Sequence, residues 1–182
     1  GDDFLALICK EAENSIVFGS RVDVETSENT EGKVYAQGFD FFFFDKQLLE
    51  QFPTSQFSLG LPWWDLWIPL TAHQKNLNLK YLASPVAYHI KHQVNYINNF
   101  WQTKGIHFTQ FFDLNLSRQF EQLLANDNSR LQSELTNVAV QFMTLIDKHT
   151  PKIQYETKDV TAQVSDSLKV SAIVSTYNSE NF

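Results

Sequence analysis

Four consecutive phenylalanines, Phe41 to Phe44, stand between two acids, Asp40 and Asp45. An apolar run this short cannot span a bilayer, which takes about 20 residues. Its aromatic content favours a buried strand over a helix. Alternation along such a strand turns Asp40 away from the side taken by Phe39 and Phe41. The chain holds 16 phenylalanines in 182 residues, and these need a thick core, a partner or an apolar pocket. With strand-like alternation early and helical periodicity late, the expected class is α/β. Short strands form a mixed sheet with helices on at least one face.

The run opens a longer stretch, Gly38 to His92. Trp63, Trp64 and Trp67 crowd there around a single acid, Asp65, and His89 and His92 follow at helical spacing. A carboxylate among aromatic rings, with imidazoles nearby, points to a site as well as a core.

In chain order, Phe4 to Glu13 has the apolar spacing of a short helix. Ile16 to Glu25 reads as one strand and Val34 to Ala36 as a brief one. Asp45 is placed to cap a helix that Pro53 stops. Pro62 opens a further helix, on which Trp64, Trp67, Ile68 and Thr71 share a face, and Pro69 should bend or shorten it. Leu77 to Leu82 is expected as a strand, Ala87 to Phe100 as a helix carrying both histidines, and Gln102 to Gln110 as irregular chain turning at Gly105. Leu116 to Leu124 forms a helix. Leu131, Leu135, Val138, Phe142 and Leu145 then mark the clearest amphipathic helix in the chain, which Pro151 ends. A polar stretch follows, read as a linker or exposed strand, and the chain closes on an apolar strand, Val170 to Val174.

Charged residues make up 19% and hydrophobic residues 43%, which excludes gross disorder. A formal charge of −7 without a basic cluster argues against a nucleic-acid surface. The single cysteine, Cys9, allows no intrachain disulfide and no thiolate metal cluster. Gly1 is followed by Asp2 and Asp3 rather than by a basic, then apolar, leader. The expectation from these features is a chain without a membrane span, in the reducing cytoplasm.

The closing segment KVSAIVSTYNSE, Lys169 to Glu180, resembles the opening strand of the inverting glycosyltransferases of GT-A type, with Ser175 where that family usually has proline. The earlier block resembles a glycosyltransferase-like family with an arginine-bearing strand, a G-x-D-x-F motif, a G-x-x-x-W-D-x-W motif and a histidine-rich segment. Here these are SRVDVE (Ser20 to Glu25), GFDFF (Gly38 to Phe42), GLPWWDLW (Gly60 to Trp67) and HIKH (His89 to His92). The resemblance covers roughly Ile16 to Trp101 and implies the acceptor-side half of a partial GT-A-like domain. Residues 1–115 would then be the C-terminal half of one module, 116–150 a helical segment, 151–168 a linker and 169–182 the first strand of a following transferase domain. No aspartate-x-aspartate signature occurs between a strand and its loop. This part alone is expected to lack a complete donor site.

The resemblance also implies roles. Asp65 would be the general base that takes the proton from an acceptor hydroxyl, with its pKa raised beside the indoles. On the residues alone, it can equally be a helix-start carboxylate satisfying free N–H groups beneath an aromatic cluster. Trp63 or Trp64 would stack on a sugar, whereas Trp67 is a packing residue. Asp40 would bind a sugar hydroxyl or position Arg21, and Arg21 would neutralise a donor phosphate or pair with Asp23 or Asp40. His89, with His92, would complete the shell of a Mn²⁺ or Mg²⁺ ion in the intact parent, with none expected in this part alone. A hydrogen-bonded or surface pair of histidines is the competing reading. The partners implied are a nucleotide-sugar donor, a glycan acceptor and neighbouring domains of the same chain. The alternative is a non-catalytic module that binds glycan or packs between domains.

Overall fold

Strand β1 (Ser15–Gly19) is buried along its whole length, and the fold is laid out around it. The computed structural model describes residues 2–28, 31–35, 37–84, 86–91 and 99–155. The segment Lys169 to Phe182, expected as a strand, lies outside the described residues, as does His92. On one side β1 pairs antiparallel with β4 (Phe41–Phe44), Val17 opposite Phe43. On the other it pairs parallel with β5 (Asn78–Leu82), which in turn pairs parallel with β7 (Lys152–Ile153). The result is a mixed sheet in the order β4-β1-β5-β7.

The chain from Ile16 to Glu25 is two strands rather than one. It bends at Ser20 and Arg21 and enters a second, three-stranded sheet, where β2 (Val22–Val24) lies between antiparallel β3 (Lys33–Val34) and parallel β6 (Tyr88–Ile90). The bend is held from outside the strand. Ser20 Oγ donates to the Gly38 carbonyl at 3.1 Å, and the Tyr35 N–H donates to the Arg21 carbonyl at 2.9 Å.

Alternation divides the phenylalanine run between two layers. Phe41 and Phe43 join Val17 beneath α1 (Asp2–Glu11), against Ile8 and Ala12. Phe42 joins Ile16 and Phe18 on the opposite face, against α2 (Trp64–Gln74) and the helices that follow. Those are α3 (Phe100–Gln110), α4 (Leu114–Asn126) and α5 (Asn128–His149), packed on one another. Asp113 caps α4 through the N–H groups of Asn115 and Leu116, and Asp127 caps α5 through Arg130. The chain is thus α/β, with mixed sheets flanked by helices, and α5 is the expected long amphipathic helix. Leu131, Leu135 and Phe142 are buried, but Leu145 is 43% exposed and Ile146 takes its place in the core. A straight helix drifts off a 3.5-residue repeat over four turns, and the drift brings Ile146 closer to the centre of the stripe.

Two expectations between Ala87 and Gln110 are reversed. Tyr88–Ile90 is a strand, not the start of a helix, because it finds the open edge of β2: the Val22 N–H donates to Ala87 and the Lys91 N–H to Val24. Phe100–Gln110 is a helix that runs straight through Gly105. Glycine costs a helix about 1 kcal/mol relative to alanine. Here it admits close packing: a Cβ at residue 105 would press on the Trp63 ring and on Leu135. The capped segment after Asp45 is a 3₁₀ helix, Lys46–Gln51.

Candidate functional site

The turn before α2 sets the site. Gly60 lies at φ 82° and Trp63, the N-cap of α2, at φ 72°, a left-handed conformation that a bulky side chain rarely takes. Trp63 is held there by the core. It is 3% exposed, its ring lies 4.9 Å from that of Trp101 and 5.0 Å from that of Phe108, and its Nε1 donates to the Trp101 carbonyl at 3.0 Å. This backbone leads directly to Asp65 in the first turn of α2, where helix N–H groups lack intrahelical acceptors.

Asp65 is a half-buried residue whose carboxylate turns inward toward Gly38 and Phe39. Its Oδ2 accepts from the Phe39 N–H at 3.3 Å. Burial pushes its pKa up to about 7, and the negative charge of Asp40 adds to the push. The N–H groups of Phe39, Asp65 and Leu66 oppose it without cancelling it. Pro69 neither bends α2 to an end nor shortens it, since the helix continues to Gln74. Its missing N–H is the one an α-helix would direct to the carbonyl of Asp65.

A second group of charges adjoins Asp65. The Arg21 guanidinium bridges two acids, with Nε to Asp23 Oδ1 at 2.7 Å and Nη1 to Asp40 Oδ1 at 2.6 Å, and lies 4.2 Å from the centre of the Tyr35 ring. Burial alone would lower the Arg21 pKa, but the pairs with Asp23 and Asp40 outweigh it and hold it above its ordinary value. Burial raises the Asp40 carboxyl, and Arg21 recovers only part of that shift. Among the described residues Asp40 Oδ2 is a buried acceptor with no protein donor. His89, on β6, places Nδ1 3.1 Å from Asp23 Oδ1.

The structure therefore brings Asp65, Asp40, Arg21 and His89 together. It gives the indoles different duties. Trp63 is committed to the core, and Trp67, 7% exposed, packs on Phe57 as expected of a packing residue. Trp64 remains half-buried, with its ring 5.3 Å from Phe42. The helical spacing that joined His89 to His92 does not apply, because His89 sits on a strand. Among the described residues no three His, Cys, Asp or Glu side chains converge as a metal donor set. Asp23 and Asp40 are engaged by Arg21, and His92, the second expected ligand, lies outside the described residues.

Beside this cluster opens a groove of about 740 Å³. Tyr35 and Gln37 form its wall nearest the charges, and Trp101 with residues of α3 and α5 forms the rest. Asp65 is not part of this lining, but its carboxylate shares the space at Gly38 with the ring of Tyr35, which is. Sequence reasoning missed Tyr35 and the groove. The available signal was a polar stripe of amides one helical turn apart, Asn99 with Gln102 and Asn128 with Gln132. No family model, no curated protein and no solved structure matches this chain.

Proposed function

We propose that the chain is the acceptor-side part of a nucleotide-sugar-dependent inverting glycosyltransferase of GT-A type, and that Asp65 is its general base. The observation that carries the proposal is a carboxyl with a pKa of about 7 in the first turn of α2, set at Gly38 in the same space that the Tyr35 ring reaches, with Tyr35 in turn lining an open groove. At neutral pH such a group is divided between acid and base, which is the condition for effective proton transfer. In the reaction the acceptor oxygen forms its bond to the anomeric carbon as the bond to the diphosphate breaks, and the hydroxyl proton passes to the Asp65 carboxylate. Attack from the face opposite the leaving group inverts the configuration. Asp40, whose side chain is 23% exposed, would hold a neighbouring sugar hydroxyl or position Arg21, with which it is paired. The nucleotide-sugar and any divalent ion belong to the parent protein's donor side.

The test is Asp65→Asn in the parent protein. Turnover should fall about 10²–10⁴-fold with donor affinity little changed. Near-normal turnover in a folded variant would remove Asp65 from the chemistry. A second reading, a non-catalytic module that binds glycan or packs between domains, draws on the burial of Trp63 and Trp67 and on Asp65 standing outside the groove lining. That reading expects no effect of the substitution on any transfer activity.

A further inference from the structure

We propose that the groove between Tyr35 and helices α3 and α5 is a binding site for an uncharged oligosaccharide segment. The proposal deepens the acceptor side of the reading above, while its chemistry rests on the groove itself. Among the described residues the lining has eleven side chains, with no Asp, Glu, Lys, Arg or His, in a chain that is 19% charged. A phosphate, an acidic peptide or a nucleic acid would find no counter-charge there. A neutral ligand rich in hydroxyls finds suitable partners.

The amides are arranged in two cross-helix pairs. Asn128 Nδ2 donates to Asn99 Oδ1 at 2.7 Å, and Gln102 Nε2 donates to Gln132 Oε1 at 2.6 Å. Each pair fixes the orientation of both amides. Each also leaves the NH₂ of the accepting residue and the C=O of the donating residue with hydrogen-bonding capacity, so donors and acceptors alternate along the groove. Vicinal hydroxyls of a pyranose, each both donor and acceptor, match this alternation. The half-buried Trp101 and the side chains of Val140 and Met143 supply apolar surface for the C–H faces of the sugar. The volume falls within the range of small-ligand sites, about 300–1,000 Å³.

The groove also has a direction. Tyr35 belongs both to its wall and to the charged cluster, since it stands over Arg21 and reaches the space at Gly38 that the Asp65 carboxylate fills. A saccharide lying along α5 would therefore bring one end to Tyr35, whose ring shares the space at Gly38 with the Asp65 carboxylate.

The experiment titrates the full chain with cellotetraose, chitotetraose and maltotetraose, and with a sulfated heparin tetrasaccharide as the charged counterpart. ¹H–¹⁵N spectra follow the Trp101 indole and the Gln102 and Gln132 side-chain amides. At least one neutral tetrasaccharide should shift all three. Gln132→Ala, an exposed position that folding tolerates, should weaken that ligand about fivefold, the worth of one neutral hydrogen bond. Failure of every neutral sugar to shift these signals, or binding of the sulfated one alone, would overturn the proposal. Asp65→Asn should leave binding intact. Binding that persists while Asp65→Asn leaves turnover unchanged keeps the groove and rejects the transferase reading. Loss of turnover in Asp65→Asn with no neutral sugar in the groove does the reverse.

Discussion

The Oδ2 atom of Asp65 occupies the space in which a side chain on residue 38 would begin. Glycine is required at that point for close approach, and the Tyr35 ring reaches the same space, 3.3 Å from where the Cβ would lie. The motif G-x-D-x-F and the motif W-D-x-W, distant in sequence, are therefore halves of one contact. The backbone of the first receives the carboxylate of the second, through the Phe39 N–H.

Gly38→Ala tests that contact. The methyl group has no room unless Asp65 turns away, and overpacking of this kind costs about 1–3 kcal/mol. Urea unfolding should show the loss. A variant as stable as the parent chain would mean that the carboxylate moves aside freely.

The pH dependence of stability has a definite sign. A carboxyl whose folded pKa lies above its unfolded value binds its proton more tightly in the folded state. Its contribution is complete below the unfolded pKa and is lost as pH rises through the folded one. For Asp65 the loss runs from about pH 4 to about pH 7. Asn at this position cannot ionise. Asp65→Asn should therefore gain stability relative to wild type as pH rises through that window, with the difference levelling off above about pH 8. A difference between the two proteins that stays constant from pH 4 to pH 8 would contradict burial of the charge.

Gly105→Ala sets two effects against each other. Alanine favours the helix by about 1 kcal/mol. The new methyl would stand 2.7 Å from Trp63 Cζ2 and 2.9 Å from both Leu135 methyls, in a core where both partners are buried. Overpacking should win, with a net loss of about 1 kcal/mol. A rise in Tm would show that α3 can move outward at little cost.

Much of this was legible in the sequence because the strong signals are local. Phe41 to Phe44 read as a strand from composition, Asp45 as a cap from its place before KQLLEQ, and α5 from its spacing. Asp65 stood out as one acid among three indoles. What failed depended on partners far along the chain. Residues Tyr88–Ile90 become a strand only because β2 offers an edge, and that edge exists only because the chain bends at Ser20 and Arg21. Gly105 looks like a turn until Trp63, 42 residues earlier, is seen to need its missing Cβ. Tyr35 carried no periodic signal, because its role comes from the Arg21 side chain beneath it.

Trp63 joins these features, and its substitution separates them. Its left-handed backbone costs about 1–3 kcal/mol, which the ring's burial must offset. Trp63→Phe keeps an aromatic body in the core but removes the donor to the Trp101 carbonyl and part of the ring volume. The Trp101 carbonyl keeps its helical donor within α3, so the loss is that of one neutral hydrogen bond, about 0.5–1.5 kcal/mol. The loss should not be confined to stability. The bond from Trp63 Nε1 ties the start of α2, which carries Asp65, to the start of α3, which carries Trp101 and Gln102 into the groove. Releasing it should loosen the Gln102–Gln132 pair and weaken a neutral tetrasaccharide in the groove more than it changes the Asp65 pKa, because that pKa is set by burial against Gly38 and by Asp40. Carboxylate titration by NMR alongside saccharide binding measures both. If Trp63→Phe moved the Asp65 pKa toward ordinary aspartate values while leaving saccharide affinity unchanged, the indole would be a lid on the carboxylate rather than a tie between the two helix starts.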